Sequence, residues 1–135
     1  MKITGLYAAL MTLLVVVLAV RVVLFRRSAK VGLGDGNNPD LLKCIRVHAN
    51  AVEYVPLYLL LMLILELNQT LPILIHIFGI VLVVARLFHA WGVSRHSGIT
   101  TGRALGAGLT VLGMVVMAVL LIWQFLIMAT FVPTH

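Results

Sequence analysis

Arg46, Asn50 and Glu53 are the residues whose types and spacing best suit chemistry, within the string Arg46-Val47-His48-Ala49-Asn50-Ala51-Val52-Glu53-Tyr54-Val55-Pro56. On a helix the three share an arc of roughly 60°, and Glu53 lies about 10 Å along the axis from Arg46. The run that follows, Leu57 to Leu65, is apolar apart from the Tyr58 hydroxyl. A carboxylate and an amide beside such a run are costly against lipid, so the stripe should face protein or a wet cleft. Cations gather near the same level: Arg26 and Arg27 close the first apolar stretch, Arg86 stands late in the third, and Arg103 precedes the fourth. One of them can pair with Glu53 in a purely structural network. The remaining guanidinium groups suit a multiply anionic ligand, because their planar forks bind carboxylate or phosphate bidentately, and Glu53 itself suits an ammonium group. Taken singly, Arg26, Arg27 and Arg86 also serve as markers of a cytoplasmic boundary. Arg21 lies deeper in the first stretch and reads as structural, paired inside a bundle or snorkelling.

The elements that must hold this stripe follow from composition. Hydrophobic residues make up 62% of the chain and charged residues 10%, with a mean hydropathy of +1.14. No ordinary soluble domain carries such a surface, so the chain reads as an integral membrane protein. A span takes about 20 apolar residues, and the 135 residues have room for four in a single domain covering 1–135. Expected helices are 3–26, 39–67, 71–93 and 102–132, giving an all-α four-helix membrane bundle. Gly32 to Asn38 supplies the first reversal, Asn38 can cap the second helix with Pro39 in its first turn, and Asn68-Gln69-Thr70 makes a tight turn. Gly102 with Gly106, and Ala104 with Gly108, give the small-residue spacing of closely packed membrane helices. A signal peptide ending near Val17-Leu18-Ala19 is the competing reading of the N-terminal stretch, but the uncharged run Ile3 to Val20 is too long for a usual signal core.

The net charge of +6 does not point to nucleic acid, since the basic residues flank apolar spans without aromatic stacking partners. It points to orientation. Arg21, Arg26, Arg27, Lys30, Lys43 and Arg46 surround the first connection and Arg86, Arg95 and Arg103 the second, whereas the middle connection has Glu66 and no cation. The first and second of these should be cytoplasmic, with both termini outside. Cys44 is the sole cysteine, which excludes an intrachain disulfide and fits a buried thiol.

The Arg46-x-x-x-Asn50-x-x-Glu53-Tyr54-x-Pro56 string resembles the helix-two motif of the MAPEG family, membrane-associated proteins in eicosanoid and glutathione metabolism. The resemblance extends over essentially the whole chain, including the basic segment Arg26 to Val31 and Arg86. It implies a homotrimer in a bacterial inner membrane, with glutathione as co-substrate in a cytoplasm-facing cleft between neighbours and no metal. Carried over, Arg46, Asn50, Glu53 and Tyr54 would contact glutathione, and Arg26 or Arg27 with Arg86 would help hold its carboxylates. Arg103 is the best match to the family arginine that stabilises the thiolate. The implied activity is conjugation of glutathione to lipophilic electrophiles, or their reduction. Phe88, His89 and Val93 stand where some members carry tyrosines, which speaks against leukotriene synthesis.

Other classes compete. A non-catalytic ligand-binding or interaction protein would use the same cationic cleft without forming a thiolate. A small transporter fits less well, because no internal repeat or interrupted helix is evident. His48 and His89 could act as axial haem ligands, but His76 lies toward the other end and a membrane histidine more often makes a packing hydrogen bond.

Overall fold

Helix boundaries follow local capping chemistry. The computed structural model describes the backbone of residues 2–95 and 101–131, and side-chain surroundings for 2–90 and 104–127. The described residues form α1 (Ile3–Ala29), α2 (Pro39–Leu67), α3 (Pro72–Arg95) and α4 (Thr101–Phe131). Each contains a stretch long and apolar enough to cross a bilayer, so the protein is an all-α, multi-pass integral membrane protein. α1 continues past Arg26 because Arg26 and Arg27 are favourable in the last turn, at the negative end of the helix dipole. It closes where Lys30 enters the left-handed region at φ 54. There the Lys30 N–H donates to the Arg27 carbonyl at 3.2 Å and the Val31 N–H to Arg26 at 3.0 Å, the paired bonds of a Schellman turn. At the start of α2, Asn38 Oδ1 accepts from the Asp40 and Leu41 N–H groups at 3.0 and 3.1 Å, with Pro39 in the first turn.

The last turn of α2 caps α1. The Glu66 carboxylate accepts from the Ile3 N–H and, at 2.9 Å, from the Thr4 N–H, so the two helices run antiparallel and a negative charge sits at the positive end of α1. Within the bundle, α2 and α3 touch one another and each touches both α1 and α4, while α1 and α4 do not meet among the described residues. The pair α2 and α3 is therefore central, flanked on opposite sides by the others.

Tyrosines and glycines set the closest approaches. Buried Tyr58 donates from Oη to the Phe78 carbonyl at 3.0 Å, and a Cβ on Gly113 would fall 2.5 Å from the Tyr58 Oη. Tyr7 likewise lies against Gly79. Around them Met11, Val55, Met62, Leu65, Ile75, Leu82 and Met117 complete the core. Of the two small-residue rows in α4, Gly106 is at a helix contact: a Cβ there would come 2.7 Å from the His89 backbone nitrogen and would also strike the Ala85 carbonyl oxygen. Gly108 has nothing within 4 Å, and Ala104 is exposed.

Gly106→Val should therefore push α3 and α4 apart and cost about 1–3 kcal/mol, whereas Gly108→Ala should be neutral or slightly stabilising through helix propensity. Thermal unfolding in detergent compares them. Equal stability of Gly106→Val and the parent protein would refute the close contact.

Candidate functional site

α2 has two faces of different chemistry. Its buried positions, Cys44, Val47, Ala51, Val55, Tyr58, Met62 and Leu65, centre on a direction roughly 135° around the helix from Arg46. Arg46 and Glu53 are consequently exposed on the outer wall of the subunit, with Asn50 and Tyr54 half-buried at its edge. Pro56 lies inside α2 and has no N–H, so the exposed Val52 loses the usual helical donor to its carbonyl, adding an acceptor beside Glu53. Among the described residues the ion pair is Lys43 with Asp40, at 2.8 Å, and neither Arg46 nor Glu53 has one.

Behind the stripe, Arg86 is 3% exposed. Its Nη1 donates to Asn50 Oδ1 at 2.7 Å, and its Nη2 donates to Thr110 Oγ1 at 2.9 Å and, more weakly, to the Gly106 carbonyl at 3.4 Å. The Thr110 hydroxyl passes its own proton to that carbonyl at 2.8 Å. A single guanidinium thus ties α2, α3 and α4, with its Nε left unpartnered among the described residues. The Arg86 guanidinium is thus turned inward, toward Asn50 and Thr110. With Oδ1 occupied, Asn50 keeps its amide N–H donors. Sequence reasoning missed Thr110, although a hydroxyl one turn after the contact glycine of an apolar helix was the available signal.

Among the described residues, Arg26 and Arg27 are not joined to the stripe. Half-buried Arg26 reaches the Gly32 carbonyl at 3.5 Å, and Arg27 is exposed. Arg103 belongs to the first turn of α4, but its side chain lies outside the described residues, as does the connection 96–100. His89 is buried and His48 half-buried. Met62 and Met117 are core residues and Trp123 is exposed, while Trp91 and Met128 have side chains outside the described set.

Four membrane-length apolar helices with a polar stripe on the exposed face of α2 define a small membrane helix bundle. The MAPEG family matches residues 4–123, and the chain belongs to that family. It is 36% identical over 121 residues to the inner membrane protein YecN of Escherichia coli strain K12, covering 90% of this chain and 91% of that protein. The YecN of Escherichia coli O6:H1 strain CFT073 matches to the same extent. No solved structure matches.

If Arg86 is the clasp, Thr110→Val leaves a buried donor unmet and should destabilise the fold by about 1–3 kcal/mol. Arg86→Lys should be destabilising too, since an ammonium cannot reproduce the two-armed fork. Denaturation in mixed micelles provides the measurement, and parent-like stability of both variants would dismiss the clasp.

Proposed function

We propose that this protein binds glutathione between the subunits of a homotrimer and presents its sulfur to lipophilic electrophiles. The observation carrying this reading is the outward-facing Arg46 and Glu53 beside an Asn50 whose amide is oriented by Arg86. A carboxylate at mid-span facing lipid costs about 2.5–3.5 kcal/mol on insertion scales, and a second copy packed over α2 relieves that cost while forming a cleft. Glutathione has two carboxylates, an ammonium group and amides. Arg46 suits a carboxylate, Glu53 the ammonium group, and the Asn50 amide and Tyr54 hydroxyl the groups between. Arg26 or Arg27 would come from the neighbour. Family membership and the related inner membrane protein are compatible with this reading.

The chemistry needs no protein nucleophile. A free thiol ionises near pH 8.5, and a nearby guanidinium, assigned to Arg103, favours the thiolate. The thiol proton leaves to solvent, and the thiolate attacks an electrophilic carbon, forming a sulfur–carbon bond as a leaving group departs with its electron pair or an activated double bond opens and takes up a proton. With a lipid hydroperoxide, two glutathione molecules supply the electrons and end as a disulfide, releasing an alcohol and water.

Glu53→Gln and Arg46→Ala should weaken glutathione binding by about tenfold or more, the scale of losing one charged hydrogen bond, and leave the oligomer intact. Arg103→Leu should keep the affinity yet lose the thiolate absorbance at neutral pH, with the signal returning only as the pH rises toward about 8.5. Calorimetry, detergent sizing and ultraviolet titration at saturating glutathione read these effects. Unchanged affinity in intact Glu53→Gln and Arg46→Ala oligomers would reject the site. Glutathione binding with no thiolate in the parent protein would favour the non-catalytic reading.

The orientation proposed with this site puts both termini outside the cytoplasm and residues 27–38 inside, from the loop cations Arg27, Lys30 and Lys43. Cysteines engineered at Leu33 and Asn68 should label oppositely, with only the second reacting with an impermeant maleimide on intact cells. The reverse pattern would invert the topology and place the glutathione site on the wrong face.

A further inference from the structure

A second polar feature of α2 lies apart from the stripe. A cavity of about 300 Å³ enters between α1 and α2, lined by Arg21, Phe25, Asp40, Lys43, Cys44 and Val47. The α2 residues of this cavity are centred roughly 100° around the helix from the Arg46, Asn50 and Glu53 stripe, so the two features occupy different flanks. An apolar groove of about 500 Å³ shares Arg21 and Phe25 with the cavity and runs along Val17, Val20 and Leu24. We propose that cavity and groove together bind one anionic phospholipid, its phosphate between Arg21 and Lys43 and an acyl chain along α1.

The charge and the position agree. Arg21 is exposed and sits about 12 Å along α1 from its end at Ala29. An arginine at that depth on the outer wall of a span draws its guanidinium toward the headgroup level, with its methylenes along the apolar wall. Arg21 is engaged within the chain, and a guanidinium with five N–H donors can serve an anion as well. Lys43 gives one donor to Asp40 at 2.8 Å and has two more. The Asp40 carboxylate is the opposing charge at this cavity and limits the attraction. A soluble anion would satisfy the cations but leave the groove beside Val17, Val20 and Leu24 without an occupant. A phospholipid satisfies both, and the bilayer supplies it.

The test uses the intact oligomer, stripped of lipid by detergent exchange and titrated with phosphatidylglycerol or with phosphatidylcholine of the same chains, with bound lipid counted by native mass spectrometry. Phosphatidylglycerol should be retained and phosphatidylcholine not. Arg21→Gln and Lys43→Gln should each weaken retention roughly fivefold, the scale for one basic residue near an anionic headgroup. Asp40→Asn should strengthen retention, which keeps the proposal testable if the cation variants fold poorly. Lys30→Gln, an equal loss of charge just beyond α1, should change it by less than about twofold if the site is local and not diffuse. Five outcomes would each overturn the proposal: equal retention of the two lipids; a Lys30→Gln effect as large as that of Arg21→Gln; displacement by glycerol phosphate at the lipid's own concentration; displacement by saturating glutathione, which would merge the cavity with the stripe; and loss of the oligomer in Arg21→Gln, which would mean that a second copy covers this flank.

Discussion

A guanidinium buried within a membrane bundle has to be met by acceptors from the protein, and the way Arg86 is met fixes how α2, α3 and α4 are rotated. Asn50 Oδ1 comes from α2 and Thr110 Oγ1 from α4, at 2.7 and 2.9 Å from the two Nη atoms. Turning α2 by one residue would carry Asn50 away by about 100° and strand the charge. With α2 so held, its seam from Cys44 to Leu65 faces the core, and the Arg46 and Glu53 side faces outward. Arg86 therefore decides where the polar stripe points without having to touch what binds there. Gly106 belongs to the same arrangement, since the close approach of α4 to α3 brings both its carbonyl and the Thr110 hydroxyl within reach of Nη2.

The spans were legible because hydropathy alone marks a membrane helix, and the stripe because three polar residues in register stand out against leucine. Which face of α2 was covered was not legible. In a soluble bundle the apolar stripe marks the core, but here the lipid-facing side is equally apolar, and residues such as Leu57 and Leu60 are exposed while Leu65 is buried. Periodicity could say that Arg46, Asn50 and Glu53 share a side and not what lies opposite it. The same ambiguity hid the inward turn of Arg86: a cation near a helix end reads as a topology marker until the acceptor on another helix is known, and Thr110 is marked only by its place one turn after Gly106. Gly106 and Gly108 have equivalent spacing partners in sequence, yet only the first is pressed against a neighbour. Glu66, which the charge distribution presents merely as a non-basic loop residue, is the cap of α1.

The two ends of the bundle treat their polar groups differently. At the end holding Glu66, several polar side chains are bonded within the chain. Glu66 caps α1, the Tyr7 hydroxyl lies 3.0 Å from His76 Nδ1, and Gln124 joins Asn68 at 3.0 Å to Thr70 at 2.8 Å, linking the turn after α2 to α4. At the end holding Arg46, Arg46 itself and Glu53 are exposed and have no ion pair among the described residues. Polar groups tied within the subunit add rigidity and specify how helices meet, whereas untied ones in a membrane wall are a standing cost until something covers them. How the polar residues are paired therefore leaves Arg46 and Glu53 as charges that the chain by itself does not balance.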